Sequence, residues 1–458
     1  MKMKMKMKII LFSIVFLIFS YFSINFLSKN NKLGFLLLFL TNEQIHLIKK
    51  YIFPYRFIAD QQYKINNLEE LVTPMELETI YRSLPDILLK KSEEINLSNN
   101  YVMNKYKLLN GFYFGINDDH AGSGYIDFHE DNIIVLSVRG VLVYGNNFDK
   151  SFKLKQIKNN IDEFINLKHF KKSHKFSIKD LLVHEGTIYV SYTEEIKENC
   201  WNTSVIYANF DYQDTVFEKL FSSEECVHSQ NNKDNEFEAL QSGGRVIVFD
   251  KENILLSIGD YRSRFLAQDK RSVNGKIIKI SNTNFNYEII SMGHRNPQGL
   301  YFDKKKNFIL ATDHGPDGGD EINLIEVSEI SKNEIPNYGW PISSAGEHYG
   351  GRDKKENIEK YKKYPLYKSH SKYGFVEPLK SFVPSIGISE IVKIGKDRYV
   401  VSSLKYQSLY FFELKNKKIN NIEKVEVGER IRDLVFNNEV LYLFMESSAS
   451  IGVIPLKS

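Results

Sequence analysis

The chain has 458 residues, enough for one large domain or for two or three smaller ones. Its 61 basic and 57 acidic residues leave a net charge of only +4, and lysines of the opening Met-Lys repeat supply part of that excess. This balance gives no support to a nucleic-acid-binding protein, which needs a strongly basic surface.

Residues 1–40 are predicted to form a membrane anchor or a signal segment. Met and Lys alternate over residues 1–8, and an uncharged apolar run follows over residues 9–27. One membrane-spanning helix needs roughly 20 such residues, and the lysines favour a cytoplasmic amino terminus with the rest of the chain outside. Because no small-x-small cleavage site follows, we expect a single-pass inner-membrane anchor with the body in the periplasm. A cleaved signal peptide is the alternative.

Residues 41–107 are predicted to be a helical linker region. Residues 41–44 have the polar composition of a helix start. Residues 83–86 are interpreted as the start of a second helix that continues through Ile87, Leu88 and Leu89. The pattern then changes near residue 108.

From residue 108 to the end, short β-branched and aromatic runs alternate with polar turns. Six strand–turn–strand units recur, at 126–137, 181–191, 246–257, 300–312, 391–402 and 434–443. One hairpin cannot bury both of its faces, whereas hairpins stacked around an axis can. The repeats therefore predict an all-β, six-bladed β-propeller over residues 108–458. A large β-sandwich is the alternative.

Cys200 and Cys226 are the two cysteines of the chain, and both fall in the predicted exported body. Two thiols in an oxidising compartment usually pair, so we expect a disulfide. Two unrelated buried thiols are the alternative, and no Cys/His spacing indicates zinc.

Cations from different repeats fall at strand ends or in loops, namely Arg295, Lys405, Arg430 and Arg432. Residues two apart in a strand point the same way, so Arg430 and Arg432 favour an anion between them. If all four converge on one mouth of the propeller, they form a site for a polyanionic ligand. Four separate surface cations are the alternative.

A glycine-rich segment after the fourth repeat carries the acidic residues Asp313, Asp317, Asp320 and Glu321. Carboxylates and free carbonyls in a flexible loop make a hard-oxygen site suited to calcium. The spacing differs from that of an EF-hand loop, and a solvated acidic turn is the alternative.

Three blocks follow one another in this region: Gly-His-Arg-Asn-Pro-Gln-Gly-Leu at 293–300, Asp-His-Gly-Pro-Asp-Gly-Gly-Asp-Glu-Ile-Asn at 313–323 and Asn-Tyr-Gly-Trp-Pro at 337–341. In this order they resemble the glucose/sorbosone dehydrogenase family, quinoprotein sugar dehydrogenases that use pyrroloquinoline quinone (PQQ) and calcium. The resemblance implies a cofactor site at Arg295, Asn296, Lys405, Arg430, Arg432 and Asp320. It implies calcium ligands at His314, Gly315, Pro316 and Glu321.

The resemblance departs at one position. Family members carry a histidine two residues before a Gly-Gly pair, as the general base for the sugar's anomeric hydroxyl; this chain has Gln241 there. An amide cannot accept a proton near neutral pH, whereas imidazole titrates in that range. Since a positioned base contributes on the order of 10²–10⁴-fold, Gln241 predicts feeble turnover. Other candidate bases, none oriented by the sequence, are Glu236, Glu238, His228 and His120.

Two functions follow from these features. The first is a membrane-anchored, periplasm-facing quinoprotein that oxidises an aldose-type sugar or related alcohol and passes electrons to an acceptor that the sequence does not identify. The second is a non-catalytic propeller that binds a ligand or a protein, since a fold does not fix a function. The cation set favours the first function, and Gln241 favours the second.

Overall fold

A computed structural model describes residues 74–82, 86–91, 94–116, 122–146, 153–330 and 334–456. The predicted membrane anchor, most of the helical linker and His120 lie outside these residues. Within them, no helix is long and apolar enough to cross a membrane.

The described chain is mostly β-structure, with four short α-helices: α1 (Pro74–Tyr81), α2 (Leu167–Lys172), α3 (Val327–Ile330) and α4 (Asn357–Lys363). The strands of the first three sheets are β4 (Gly124–His129), β5 (Asn132–Ser137), β6 (Leu142–Gly145) and β7 (Lys153–Asn159) in sheet A; β8 (Ile178–His184), β9 (Thr187–Lys197), β10 (Cys200–Asn209) and β12 (Glu218–Phe221) in sheet B; β14 (Gly243–Val248), β15 (Asn253–Ile258), β16 (Lys276–Ser281) and β17 (Tyr287–Met292) in sheet C.

The remaining strands are β18 (Pro297–Asp303), β19 (Phe308–Asp313), β20 (Asp320–Glu326) and β21 (Lys380–Phe382) in sheet D; β22 (Ile388–Lys393), β23 (Arg398–Ser403), β24 (Ser408–Lys415) and β25 (Lys418–Glu426) in sheet E; β26 (Ile431–Asn437), β27 (Val440–Met445), β28 (Ser450–Pro455) and β3 (Val102–Leu108) in sheet F. Short strands β1 (Asp86–Lys91), β2 (Ile95–Asn96), β11 (Asp214–Thr215) and β13 (Val227–His228) pair at the edges. Each predicted hairpin supplies the first two strands of one sheet.

The six sheets follow one another around a closed circle. The first strand of each sheet contacts the first strand of the next, and β26 contacts β4 to complete the circle. A cluster of buried apolar side chains fills each of the six interfaces between neighbouring sheets. Each sheet thereby buries both of its faces, as expected for the predicted six-bladed β-propeller.

The helical prediction, which runs to residue 107, is wrong for strands β1, β2 and β3, and the propeller includes β3, which begins before the predicted start at residue 108. Strand β1 pairs with β3 on one side and with β7 on the other, and β3 pairs with β28 as the outer strand of sheet F. Ile87 and Leu89 are buried while Leu88 is exposed, which is the alternation of a strand. A three-residue apolar run fits a helix or a strand equally well, and pairing with distant strands decides between them.

A buried ionic cluster lies among the innermost strands. The Arg245 guanidinium contacts the carboxylates of Asp180, Glu390 and Asp433, the last at 2.9 Å. Burial raises the pKa of all three carboxyl groups, that of Asp180 to about 8. Asp180 also accepts the Val246 N–H at 2.7 Å, so the cluster ties neighbouring sheets together.

Candidate functional site

A cavity of about 380 Å³ lies at the amino-terminal ends of the six innermost strands. Every sheet contributes to its wall, through Tyr125 in β4, Lys179 in β8, Gly243 in β14, Gln298 in β18, Gly387 before β22 and Arg432 in β26. Because these strands begin around one axis, side chains that are distant in sequence converge there. This volume falls within the range of small-molecule sites.

The wall of the cavity is strongly cationic. Its charged side chains, within the described residues, are Lys179, Arg262, Arg295, Lys405, Arg430 and Arg432 against Glu238 and Asp317. Lys405 is exposed and has no ion pair among the described residues. The structure therefore brings together the four cations predicted from the sequence and adds Lys179 and Arg262, which sequence reasoning missed. Such an excess of positive charge suits a polyanionic ligand.

Arg430 and Arg432 share one buried carboxylate. Glu446 accepts from Arg430 Nε at 2.7 Å, and from Arg432 Nε at 2.8 Å and Nη2 at 3.0 Å. The two guanidiniums hold the pKa of this fully buried carboxyl group at about 2, against its desolvation by burial. Arg430 Nη1 and Nη2 and Arg432 Nη1 make no hydrogen bond within the described chain, so they remain available to a ligand.

Hydrogen bonds from their backbone N–H groups fix the positions of Arg295 and Asn296. The Asp313 carboxylate accepts their N–H groups at 3.0 and 2.7 Å. The Arg295 guanidinium lies over the rings of Trp340 and Tyr349, at 5.5 and 5.8 Å from their centroids. The glycine-rich turn thus presents Arg295 at the wall, as predicted, and its aromatic neighbours hold it in place.

Gln241 is almost fully buried at the wall, and both ends of its side-chain amide have hydrogen-bond partners. In the amide orientation that satisfies its neighbours, its nitrogen donates to Asp260 Oδ1 at 3.1 Å. Its oxygen accepts from Arg262 Nε at 3.1 Å and from Arg295 Nη2 at 2.8 Å. The amide therefore orients two arginines, and it holds no basic atom that could take a proton.

The other candidate bases are not free at the wall. Glu238 lines the cavity, but Lys175 Nζ contacts its carboxylate at 3.0 Å. Glu236 does not line this cavity, and it is paired with Arg264 at 2.8 Å and with Lys360. The His228 Nδ1 accepts backbone N–H groups of its own loop.

Asp320 and Glu321 do not reach the cavity wall, in contrast to their predicted cofactor and metal roles. Asp320 is buried and accepts from Gly315 N, Ser385 Oγ and Ile388 N at 3.0, 3.0 and 2.9 Å. Glu321 lies 3.4 Å from His370 Nε2. Since residues alternate between the two sides of a strand, Asp320 holds the Gly315 turn and Glu321 faces the outer loop that carries His370.

Two of the carbonyls that the resemblance implies as calcium ligands already accept hydrogen bonds in this arrangement. The His314 carbonyl accepts from Arg295 Nη1 at 2.6 Å, and the Pro316 carbonyl accepts from Ser385 Oγ at 3.1 Å. A guanidinium at a ligand carbonyl repels a second cation there. Over the described ranges, no group of three or more His, Cys, Asp or Glu side chains is placed to hold a metal.

Cys200 and Cys226 form a disulfide, with their Cα atoms 5.3 Å apart. The bond joins β10 to the loop before β13, and β13 pairs with the start of β10. It fixes the outer edge of sheet B.

This chain belongs to the Glucose / Sorbosone dehydrogenase family, whose model matches residues 178–453. The family resemblance is thereby confirmed. Aldose sugar dehydrogenase YliI of Escherichia coli is 25% identical over 214 residues, which cover 42% of this chain and 53% of that protein. The uncharacterized protein slr1608 of Synechocystis is 29% identical over 223 residues, with coverages of 42% and 50%. The chain thus spans about half the length of these curated relatives.

Solved structures of the same type share the fold. The soluble aldose sugar dehydrogenase of Escherichia coli, in its apo form, superimposes with a TM-score of 0.57 at 18% identity, over 78% of this chain and all of that one. A PQQ-bound aldose sugar dehydrogenase from Streptomyces coelicolor gives 0.54 at 17% identity, with coverages of 77% and 98%. At such low identity these similarities show the fold alone.

Proposed function

We propose that the protein is a quinoprotein oxidoreductase that oxidises an aldose-type sugar or a related alcohol, with PQQ bound in the cationic cavity. The observation that carries the proposal is the convergence of Lys405, Arg430, Arg432 and Arg295 on one cavity wall. Arg430 and Arg432 keep donors free, and Lys405 has no ion pair of its own among the described residues. A tricarboxylate is the kind of ligand that such a wall selects.

When bound, the quinone supplies a two-electron acceptor, and the chain's own residues would position it. Lys405, Arg430 and Arg432 would hold the carboxylates, while Asn296 and Arg295 would fix the ring. Gln241 would keep the Arg262 and Arg295 guanidiniums aligned through its carbonyl oxygen. The proposal assigns no calcium ligand to His314, because the His314 carbonyl already accepts from the cationic Arg295 guanidinium.

Binding of PQQ to the purified body, followed by absorbance and calorimetry, tests the proposal. Lys405→Ala should weaken binding at least tenfold, because a charge-assisted hydrogen bond contributes about 1.5–3 kcal/mol. Arg271→Ala is the matched control, since the Arg271 side chain is 91% exposed and its one ion pair among the described residues is with Asp269. No PQQ binding by the wild type, or equal binding by the two variants, would refute the cofactor site.

A non-catalytic binding propeller is the second candidate function. It is favoured by one observation, a buried and hydrogen-bonded amide, Gln241, at the position where the family carries its base. Sugar-dependent reduction of an artificial dye by the PQQ-loaded protein separates the two functions. Binding of PQQ without any turnover over a panel of aldoses would favour the binding propeller.

We further propose that the body lies in the periplasm, held by an inner-membrane anchor at residues 9–27. The support is the apolar run with its flanking lysines, together with a disulfide of the type found in oxidising compartments. A reporter fused after Ser458 should be active only if it works outside the cytoplasm. A cytoplasmic signal would refute this topology.

A further inference from the structure

Lys179 is a buried lysine on the wall of the cavity. It is the second residue of β8, and only 6% of its surface is exposed. Its Nζ donates to the Lys175 carbonyl at 3.1 Å and to the Ala239 carbonyl at 3.5 Å. Ala239 lies two residues before Gln241, the position where the family carries its base, and Lys179 and Gln241 line the same cavity.

The charges that face Lys179 do not stabilise an ammonium. Those charges are Arg432, Arg139 and Lys175, which disfavour the protonated form, and Glu238, which favours it. The Glu238 carboxylate is itself occupied by Lys175, and no carboxylate forms an ion pair with Lys179 in the described structure. Burial, aided by these cations, lowers the pKa of Lys179 to about 7.

The contacts of the amine also fix its direction. A neutral amine has two N–H bonds and one lone pair. If the two N–H bonds point to the carbonyls of Lys175 and Ala239, the lone pair is left for another partner, and Lys179 lines the cavity in which a substrate would bind. A group with a pKa near the working pH, in a fixed direction, is what general base catalysis requires.

We propose that Lys179 Nζ is the proton acceptor of the oxidation, in the role that Gln241 cannot fill; this inference rests on the proposed function. The substrate O–H bond breaks and its proton forms a bond with Nζ. The electron pair of that bond becomes the second C–O bond of the product carbonyl. The adjacent C–H bond breaks with its electron pair, which goes as hydride to the quinone, the two-electron oxidant.

Two substitutions separate a base from a simple anion contact. Lys179→Met removes both the charge and the base, whereas Lys179→Arg keeps a charge but cannot be deprotonated. Both variants should lose turnover by on the order of 10²–10⁴-fold. Both should bind PQQ within about threefold of wild type, since a proton acceptor acts in the transition state. Lys158→Met, at a lysine whose side chain is 78% exposed, is the control.

A second readout needs no turnover. NMR of protein labelled at lysine Cε, with the Lys179 signal assigned by its loss in Lys179→Met, should show a titration midpoint near 7 in the cofactor-free protein. In the wild type, kcat/KM should fall as pH drops through that midpoint, because the protonated amine cannot accept a proton. A midpoint near 10 would overturn the proposal.

The kinetic outcomes are equally separable. If Lys179→Arg is active, Lys179 is an anion contact and its role as base is overturned. The same holds if Lys179→Met loses PQQ affinity in proportion to its loss of turnover. A wild type that binds PQQ but oxidises no sugar would overturn the base role and leave the cofactor site in place. A wild type that binds no PQQ would overturn the proposed function itself.

Discussion

The sharing of the Glu446 carboxylate by Arg430 and Arg432 can be tested directly. Glu446→Gln keeps the shape of the side chain but removes its charge, and the amide NH₂ then faces a guanidinium. Both arginines stay buried or partly buried at the cavity. The variant should therefore lose stability, while its cavity should attract anions more strongly than that of the wild type.

The magnitude follows from the pKa of Glu446, which the two arginines hold at about 2 against an ordinary value of 4.5. A shift of this size corresponds to about 3 kcal/mol of folding free energy at neutral pH. Breaking a buried ion pair by removing one partner costs a similar amount, about 3–5 kcal/mol. Because the folded-state pKa is depressed, this stabilisation is present above pH 4.5 and is lost as pH falls toward 2.

Urea unfolding of wild type, Glu446→Gln and Glu426→Gln measures the effect. Glu426 pairs with Lys424 on the surface and its side chain is 72% exposed, so its variant should differ little from wild type. Glu446→Gln should be about 3 kcal/mol less stable at pH 7, and the difference should shrink between pH 4.5 and pH 2. It should also bind PQQ more tightly. Equal stability of the two variants at pH 7 would refute the shared-carboxylate account.

Three further predictions concern the rest of the structure. Gln241→His should raise dye reduction by on the order of 10²-fold in Lys179→Met, which lacks a base, and should give no such gain in the wild type. A large gain in the wild-type background would contradict the role of Lys179. Arg245→Met should cost about 3–5 kcal/mol in thermal unfolding at pH 7, because it leaves a buried cluster of three carboxyl groups without the cation that offsets their negative charge. The raised pKa values of Asp180 and its two partners mean that this deficit should shrink as pH falls, and a deficit independent of pH would argue against the cluster. Cys200→Ser should cost about 3.5 kcal/mol for a loop with a sequence separation of 26, and an unchanged melting temperature would show that the bond is dispensable.

Local patterns were enough for the repeated units of this chain. Each predicted hairpin has a polar turn between two β-branched or aromatic runs, and this pattern depends only on residues that are neighbours in the sequence. Local patterns gave a wrong prediction, helix in place of strand, for β1 and β3. There the choice between helix and strand depends on β7 and β28, and β28 lies more than 300 residues away in sequence, so tertiary pairing overrides the local preference.

For the site, the amino-acid sequence was sufficient to identify the residue types available: the cations Arg295, Lys405, Arg430 and Arg432, two cysteines able to pair, and an amide at position 241. The environment of these residues followed from the folded chain. The fold places Glu446 between two arginines and turns Asp320 and Glu321 away from the cavity. It also buries Lys179 where no carboxylate of the described residues forms an ion pair with it. Desolvation and ion pairing depend on groups from different sheets. The order of residues along the chain does not show which ends of those sheets lie close together.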